Sequence, residues 1–540
     1  MSRAAAEPST RRAAGVVGMA VIASRLVGLV REQVFAAMFG GGKFLDVYLA
    51  SFQIPNLLRD LFAEGALSTA FTTLFAQSWD RDGEETAWRL ANLILSTMIF
   101  LGGVLCIAAI VFAPALVELT NHGFHSVPGK FELTIELTRL LFPFILFVSV
   151  AAAVMGMLNA RHVFAIPASA STVFNIVSVI GGVGLAFALD PSARENWRHP
   201  VFTERALFGV SAGVLLGGMA QLAMQLPSLY RLGFRYRWTL NLSDPRLSRL
   251  WNLMWPSVVA GMAVQVNVLV NGNFASEING GRSWLNCAFR LMQLPIGVFG
   301  VSLATATLPA VSRAFARGDL VAFGRTARDS LRLAWFLALP AAAGLAVLAR
   351  PIIAMIYQHG HFSAHDTAQT ALALQAYSVG LAGYAATRVA TPCFLAMGEP
   401  GVPMRISLIG IGLNLVLNFA NARVLHLGHA GLALTTSVVA LVNFAQLSFA
   451  LSRRIDVGRG TQWAGFLTRC GLAAGACAGA AWWLNGMVER ATESHLIRYG
   501  GLGVAIGISL LVYFAVARAL RLDESAQAWA MVKRRLPGFG

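Results

Sequence analysis

Charge is scarce in this chain. Only 13% of its 540 residues are Asp, Glu, Lys or Arg, against about 25% in an ordinary soluble domain. That shortage excludes a soluble globular or a disordered protein and points to a membrane one. Acids are the scarcer sign, 26 against 42 Lys and Arg. Cysteine is limited to Cys106, Cys287, Cys393, Cys470 and Cys477, all in or beside apolar runs and none in a CxxC pair. This excludes a disulfide or thiolate-metal framework and leaves small core residues. P-loop, HExxH and GxSxG patterns are missing, so no ATP-hydrolysing, zinc-protease or serine-hydrolase motif is present. Paired acids or a His/Ser nucleophile set near one membrane face, which an enzyme acting on polyprenyl phosphates would need, are missing too.

What is abundant is apolar length. Hydrophobic residues make up 56% of the chain and its mean hydropathy is +0.63. Windows of about twenty apolar residues recur about fourteen times, from one around residue 26 to one around residue 509. An all-α integral membrane protein with about fourteen transmembrane helices is expected. Stretches 44–78 and 284–316 are longer than a straight span needs, which implies tilt, a kink or extension into water. The polar, basic start "MSRAAAEPSTRRAAG" is read as leading into a retained first span rather than a cleaved signal peptide. The net charge of +16 reads as a topology signal, not a nucleic-acid surface. With a cytoplasmic N-terminus, alternation places about 24 basic residues inside and about 9 outside, the latter including Lys43, Lys130 and Arg282. Both termini are therefore expected in the cytoplasm.

An internal repeat sets the organisation. "GGKFLDVYLASFQIPNLL" (41–58) and "GGRSWLNCAFRLMQLPIGVF" (280–299) both read Gly-Gly-basic, an apolar stretch, then Gln-[Ile/Leu]-Pro. Gln53 and Pro55 recur as Gln293 and Pro295. Six spans separate the copies, an even number, so the halves have parallel topology, a transporter architecture with its site at midplane between the repeats. The expected organisation is a six-helix lobe at 1–235, a second at 236–456, and two further helices with a tail at 457–540, the lobes enclosing a central cavity.

Polar groups inside the spans are concentrated. Ser24, Arg25, Arg31 and Glu32 lie on the first helix, and Asp46, Asn56, Arg59, Asp60 and Glu64 on the second, with Arg290 in the second copy of the motif. An intramembrane arginine costs about 2.5–3.5 kcal/mol on insertion scales and so normally faces a cavity or a partner. Helical spacing puts Ser24 with Arg31, and Arg25 with Gly28 and Glu32; a kink at Gly28 would bring the two arginines together. One reading pairs the charges internally, Arg25 with Glu32 and Arg59 with Glu64 or Asp46. The sharper reading uses arginine's planar fork for an anionic, phosphorylated cargo.

Weaker signals complete the set. His359, His361 and His365 lie in "YQHGHFSAHD", where a metal site competes with a capping box from Ser363 to Asp366; the box is preferred. Asn267, Asn271, Asn414 and Asn418 sit within apolar spans, as interhelical hydrogen bonders or as a weak cation site.

The stretches "SRLVGLVRE", "FLDVYLASFQIPNLLRDLFAEGALSTAF", "RLMQLPIGVFGVSLATATLP" and "YSVGLAGYAATRV" resemble the MurJ (MviN) lipid II flippases of the multidrug/oligosaccharidyl-lipid/polysaccharide exporter superfamily. The resemblance covers essentially the whole chain. It implies a bacterial inner-membrane transporter, not an enzyme, that moves lipid II from the inner to the outer leaflet by alternating access for cell-wall synthesis. It implies a cationic cavity whose arginines match Arg25, Arg31, Arg59 and Arg290, and a functional aspartate matching Asp46. Ser24, Ala36, Asn56 and Glu64 match lesser positions, and Glu32 joins the acids whose ion pairs would gate the empty states. The last two helices match a pair that holds the polyprenyl tail, with Trp482 and Trp483 read as interface anchors. Two departures stand out: Phe289 precedes Arg290 where relatives often carry Asp, and asparagines stand where some relatives place sodium-binding carboxylates. Lipid II and membrane lipids are the implied partners, alongside cell-wall synthesis proteins; no nucleic acid, no cofactor and a monomeric chain are expected. Energy is expected from the membrane potential or a Na+/H+ gradient, the potential favouring outward anion movement by about 2.3 kcal/mol per charge per 100 mV. The alternatives are a flippase for another polyprenyl-pyrophosphate-linked oligosaccharide, or a multidrug antiporter.

Overall fold

A computed structural model describes residues 7–60, 68–456, 460–491 and 494–528. Every regular element among them is helical. The first compact unit, Met1–Ser283, contains α1 (Glu7–Phe39), α2 (Lys43–Leu58), α3 (Ser68–Asp82), α4 (Glu84–Val111), α5 (Ala113–Asn121), α6 (Lys130–Leu141), α7 (Phe144–Ala160), α8 (Ala165–Leu189), α9 (Pro191–Glu195), α10 (Glu204–Ala223), α11 (Leu226–Arg231) and α12 (Pro245–Ser276). The second unit, Trp284–Gly540, holds most of α13 (Gly281–Pro295), then α14 (Val301–Ala316), α15 (Leu320–Val347), α16 (Ala349–Tyr357), α17 (Ala364–Ala396), α18 (Gly401–Ala420), α19 (Gly428–Ser452), α20 (Gly460–Ala491) and α21 (His495–Ala519).

Among the described residues, nine helices or joined helix pairs are long and apolar enough to cross a membrane. The expected segments outside this set are carried by α1, the α2–α3 stretch, α12, α17 and α20. α2 and α3, at 16 and 15 residues, are each short for a span, whereas α1, α12, α17 and α20 are 32 or 33 residues long and carry charged or small residues that lower their hydropathy.

In the first unit, α8 and α10 pack with little between them. Gly209, Gly213 and Gly217, four apart on α10, meet Ala186, Gly182 and Ser178, four apart on α8, in antiparallel order. A Cβ on any of the three glycines would fall inside the van der Waals envelope of α8, against backbone at Gly209 and Gly213. Between membrane helices, where lipid is as apolar as Leu, such close backbone approach is what holds the pair. Gly213→Leu is therefore expected to abolish α8–α10 docking and with it the folded, monodisperse protein, whereas Gly184→Leu, where a Cβ meets open space, leaves the melting midpoint in detergent nearly unchanged.

The loop after α8 is tied by Asp190, which is fully buried. Its carboxylate accepts from the Thr203 amide at 2.6 Å, the Thr203 hydroxyl at 2.9 Å and the Ser192 amide at 3.1 Å. Burial alone would raise this carboxyl, but these donors and the Ala193 amide outweigh it and hold it below the ordinary value. A depressed carboxyl contributes stability that is present above the unfolded value, near pH 4, and is lost as pH falls through the lower folded one. Asp190→Asn is expected to cost about 1–3 kcal/mol at pH 7 and to remove that part of the acid loss of melting midpoint below about pH 4.

The second unit has its own core around α15. Phe323, Phe336 and Phe394 are buried with Cys393, Cys470, Cys477 and Tyr513. The Tyr513 hydroxyl donates to the Phe336 carbonyl at 2.6 Å, so α20 and α21 are docked on α15. Ser437 on α19 donates to the Ala376 carbonyl of α17 at 2.7 Å, where Gly380 and Gly383 let the two helices close up. All five cysteines are buried and unpaired with one another, as their apolar settings imply.

The repeated motif has a shared local form. Pro55 lies near the end of α2 and a π turn opens at 59–60; Pro295 ends α13 and a π turn follows at Ile296–Gly300. A proline removes one ladder donor and crowds the preceding turn, which widens the helix locally. Stretch 284–316 is therefore one long helical run, α13 and α14 joined through this π turn.

Candidate functional site

The first helix presents one face to α8. The Ser24 carbonyl accepts from Asn175 Nδ2 at 3.3 Å, Gly28 faces the same amide, and the Arg31 guanidinium lies over the Phe174 ring at 5.3 Å. Ser24, Gly28 and Arg31 thus share a face, and Gly28 serves close approach, since α1 runs unbroken through it. Arg25 is exposed on another side. It makes no ion pair with Glu32, contrary to the paired reading: seven residues rise about 10.5 Å along a helix, beyond salt-bridge reach for side chains in their preferred directions. Glu32 is half-buried, and Ala36 is fully packed in the core.

Arg31 is the anomaly. Its Nε and Nη1 are buried and have no hydrogen-bond partner among the described residues. A guanidinium carries five donors and no acceptor, and leaving such donors dry costs about 1–3 kcal/mol or more for a charged group. The ring of Phe174 compensates in part through cation–π attraction. What would satisfy it is a planar, multidentate anion.

Asp46 has the opposite character: it is saturated. The carboxylate is 0% exposed, as is Lys130. Oδ2 accepts from Lys130 Nζ at 2.7 Å and the Gly280 amide at 2.8 Å. Oδ1 accepts from the Ser283 amide at 2.8 Å and its hydroxyl at 2.6 Å. Those four donors use the whole acceptor capacity of a carboxylate. The Lys130 ammonium also donates to Asn279 Oδ1 at 3.1 Å and sits over Phe124 at 4.3 Å. Gly280, at φ 84°, adopts the left-handed turn that brings its amide round to Asp46. Asp46, three residues into α2, therefore caps the first turn of α13, a carboxylate at a helix N-terminus. It pairs with Lys130 rather than with Arg59.

Arg59 pairs instead with its neighbour Asp60, through Nε at 3.2 Å and Nη2 at 2.8 Å. Asn56, one turn earlier, is half-buried. Glu64 lies outside the described residues. Arg290, on α13 in the second unit, is exposed, and Phe289 before it packs on Tyr377 at 5.4 Å.

The asparagines sit differently in the two units. Asn414 and Asn418 are fully buried on α18, and Asn418 Nδ2 donates to Asn414 Oδ1 at 2.9 Å. On α12, Asn267 and Asn271 are half-buried, and Asn267 Oδ1 has no hydrogen-bond partner among the described residues. His359, His361 and His365 do not converge as ligands; Ser363 and Asp366 form the capping box of α17.

Two functional-looking residues escaped the sequence reading. Lys130 and Arg282 read as loop charges outside the membrane. Arg282 is buried, donating to Gln53 Oε1 and, at 2.9 Å, to the Thr120 carbonyl. The available signal was the Gly-Gly-basic repeat itself, in which Arg282 holds the place of Lys43, a residue paired with Glu204 at 3.1 Å.

Comparison with known proteins places this arrangement. The family model described as lipid II flippase MurJ matches residues 35–500. The lipid II flippase MurJ of Burkholderia cenocepacia is 32% identical over 437 residues, covering 80% of this chain and 81% of that one. The probable lipid II flippase MurJ of Vibrio cholerae is 32% identical over 523 residues, covering 93% and 95%. Among solved structures, a lipid II flippase MurJ in an inward closed conformation shares the fold with a TM-score of 0.76 at 23% identity, over 94% of this chain and 99% of that one. An inward-facing multidrug transporter of the MATE family shares it with a TM-score of 0.64 at 15% identity, over 79% and 94%. The helical fold is that of this transporter superfamily, and the chain belongs to the lipid II flippase MurJ family.

Proposed function

We propose that this chain translocates lipid II, the undecaprenyl-pyrophosphate-linked peptidoglycan precursor, from the inner to the outer leaflet of the bacterial cytoplasmic membrane by alternating access. It is a transporter rather than an enzyme. The observation that carries this reading is the family match over residues 35–500, since the likeness to multidrug exporters is one of fold at 15% identity.

Arg25, Arg31, Arg59 and Arg290 handle the anionic headgroup, with Arg31 supported by its unpartnered donors. Ser24, Asn56, Glu32 and Glu64 assist or gate, and Asp46 holds the corner on which gating turns. The chain crosses the membrane fourteen times, with both termini in the cytoplasm and parallel six-helix lobes at 1–235 and 236–456; the π turn after the repeated proline supports the repeat. The two helices of 457–540 receive the polyprenyl tail. The protein works as a monomer beside cell-wall synthesis proteins, without a cofactor and driven by the membrane potential. A sodium or proton gradient is the second source; Asn414 and Asn418, bonded to each other, offer a cation no carboxylate.

The test is rescue. Cells depleted of their own lipid II flippase receive this chain or Arg25→Ala, and lipid II on the outer leaflet is measured at equal membrane levels. Rescue by the unchanged chain alone is expected. Rescue by both removes Arg25 from the mechanism, and rescue by neither, with normal insertion, assigns another lipid-linked cargo.

A further inference from the structure

A second cluster of chemically capable side chains lies away from the arginines. Glu118 lies in the last turn of α5, and His122 and His125 follow on a 3-10 turn at His122–Ser126. His122 Nδ1 lies 2.5 Å from Glu118 Oε1, and His125 Nε2 lies 2.7 Å from Glu118 Oε2. All three ligand atoms fall within 4.8 Å of one another. We propose that Glu118, His122 and His125 form a binding site for a divalent transition-metal ion of the zinc class. This assignment is independent of the transported cargo.

The donor chemistry supports it. Two imidazole nitrogens and one carboxylate are a borderline-soft set, suited to zinc and unsuited to magnesium or calcium, which take oxygen. Three protein ligands leave a fourth position for water. Zinc–ligand bonds of about 2.0–2.2 Å place tetrahedral ligand atoms roughly 3.3 Å apart, so the present contacts open by under about 1 Å as the ion replaces the shared protons. The side chains are free to do so: Glu118, His122 and His125 are 44%, 73% and 51% exposed, which also gives an ion entry.

The backbone beneath them is held. The His122 amide donates to Asn273 Oδ1 at 3.3 Å and the Gly123 amide to Ser276 Oγ at 3.1 Å. Gly123 lies so close to the Ser276–Glu277 backbone that no Cβ fits there. The His125 ring stacks on Phe131 with centroids 3.9 Å apart. The ligands thus sit on a turn clamped to the end of α12, which limits the ordering a metal must impose.

The same turn reaches the buried corner. Thr120 supplies the carbonyl that holds Arg282, and Phe124 carries both Lys130 and Arg282 on its faces. A bound ion would therefore brace α5 and the turn against the Asp46–Lys130 latch.

The experiment uses the full chain in detergent, freed of any affinity tag and stripped with chelator, titrated with zinc chloride against a chromogenic competitor. One zinc per chain with a dissociation constant below roughly 10 μM is expected, together with a rise in melting midpoint. Glu118→Gln and the His122→Ala/His125→Ala double variant are expected to weaken binding at least about tenfold. A control at the other histidine loop, His361→Ala, leaves it unchanged. Melting in chelator checks that each variant is folded, which their exposure predicts. Binding weaker than roughly 100 μM by the unchanged chain, or equal binding by the double variant, overturns the assignment.

Discussion

Replacing Lys130 by alanine is expected to destabilise the protein by about 3–5 kcal/mol, because it strands the Asp46 carboxylate in a dry site. Water does not reach either group; both are 0% exposed. Asp46→Asn is not a mild change. The Gly280 and Ser283 amides donate to different carboxylate oxygens, and a side-chain amide offers one oxygen and one NH2, so one set of donors loses its acceptor as Lys130 loses its counter-charge. The informative variant is the double change Asp46→Leu with Lys130→Met. An apolar replacement of a buried pair is often neutral, but here the Gly280 amide and the Ser283 amide and hydroxyl lose their acceptor, at about 1–3 kcal/mol each. Those three losses together match or exceed the Lys130→Ala loss, so the double variant should recover none of it and fall well short of the parent. Equilibrium unfolding in detergent, read as a double-mutant cycle, gives the coupling. Full recovery would mean that the carboxylate serves only to neutralise Lys130, and that the start of α13 needs no cap.

That latch marks where the sequence stopped being legible. The membrane class, the helical fold and the family were readable because each is a property of composition or of a contiguous motif. The repeated proline was readable too, but not the π turn that follows each copy, which is a backbone feature of the structure. Nor was the partner of Asp46. Lys130 follows Gly129 between two apolar runs, the usual place of a solvated loop charge, and nothing local distinguishes it. Its burial depends on Phe124, Asn279 and Asp46 converging across 84 and 149 residues of chain separation. Likewise, the contact of Arg59 with the adjacent Asp60 went unread, because the candidates for it were Asp46, which Lys130 holds, and Glu64, which lies outside the described residues. The turn bearing His122 and His125 went unread because its ligands gather only where α5 ends and the chain reverses, outside any regular periodicity.

Arg31→Ala is expected to abolish, or cut by about tenfold or more, the appearance of lipid II on the outer leaflet, while leaving the melting midpoint unchanged or raised. The two halves of that expectation come from one observation. In the present conformation Arg31 holds a charge in a half-buried place with Nε and Nη1 unpartnered, so deleting it removes a cost and leaves no orphaned partner carboxylate. A residue retained at such a cost contributes elsewhere, and a planar fork beside Phe174 is suited to a pyrophosphate that arrives and leaves. Arg31→Lys is expected to restore only part of the activity, since an ammonium supplies charge but cannot bind two oxygens side by side. Phe174→Leu, which removes the ring under the guanidinium, should lower activity less than Arg31→Ala, by the loss of about 0.5–2 kcal/mol of positioning. The discriminating result is the split between stability and transport. If Arg31→Ala loses both in parallel, Arg31 is a structural strut of the α1–α8 contact; if it loses neither, the headgroup is held by the other arginines. A stable protein that no longer exposes lipid II places the anion at Arg31, and gives the first helix its reason for carrying charge through an apolar span.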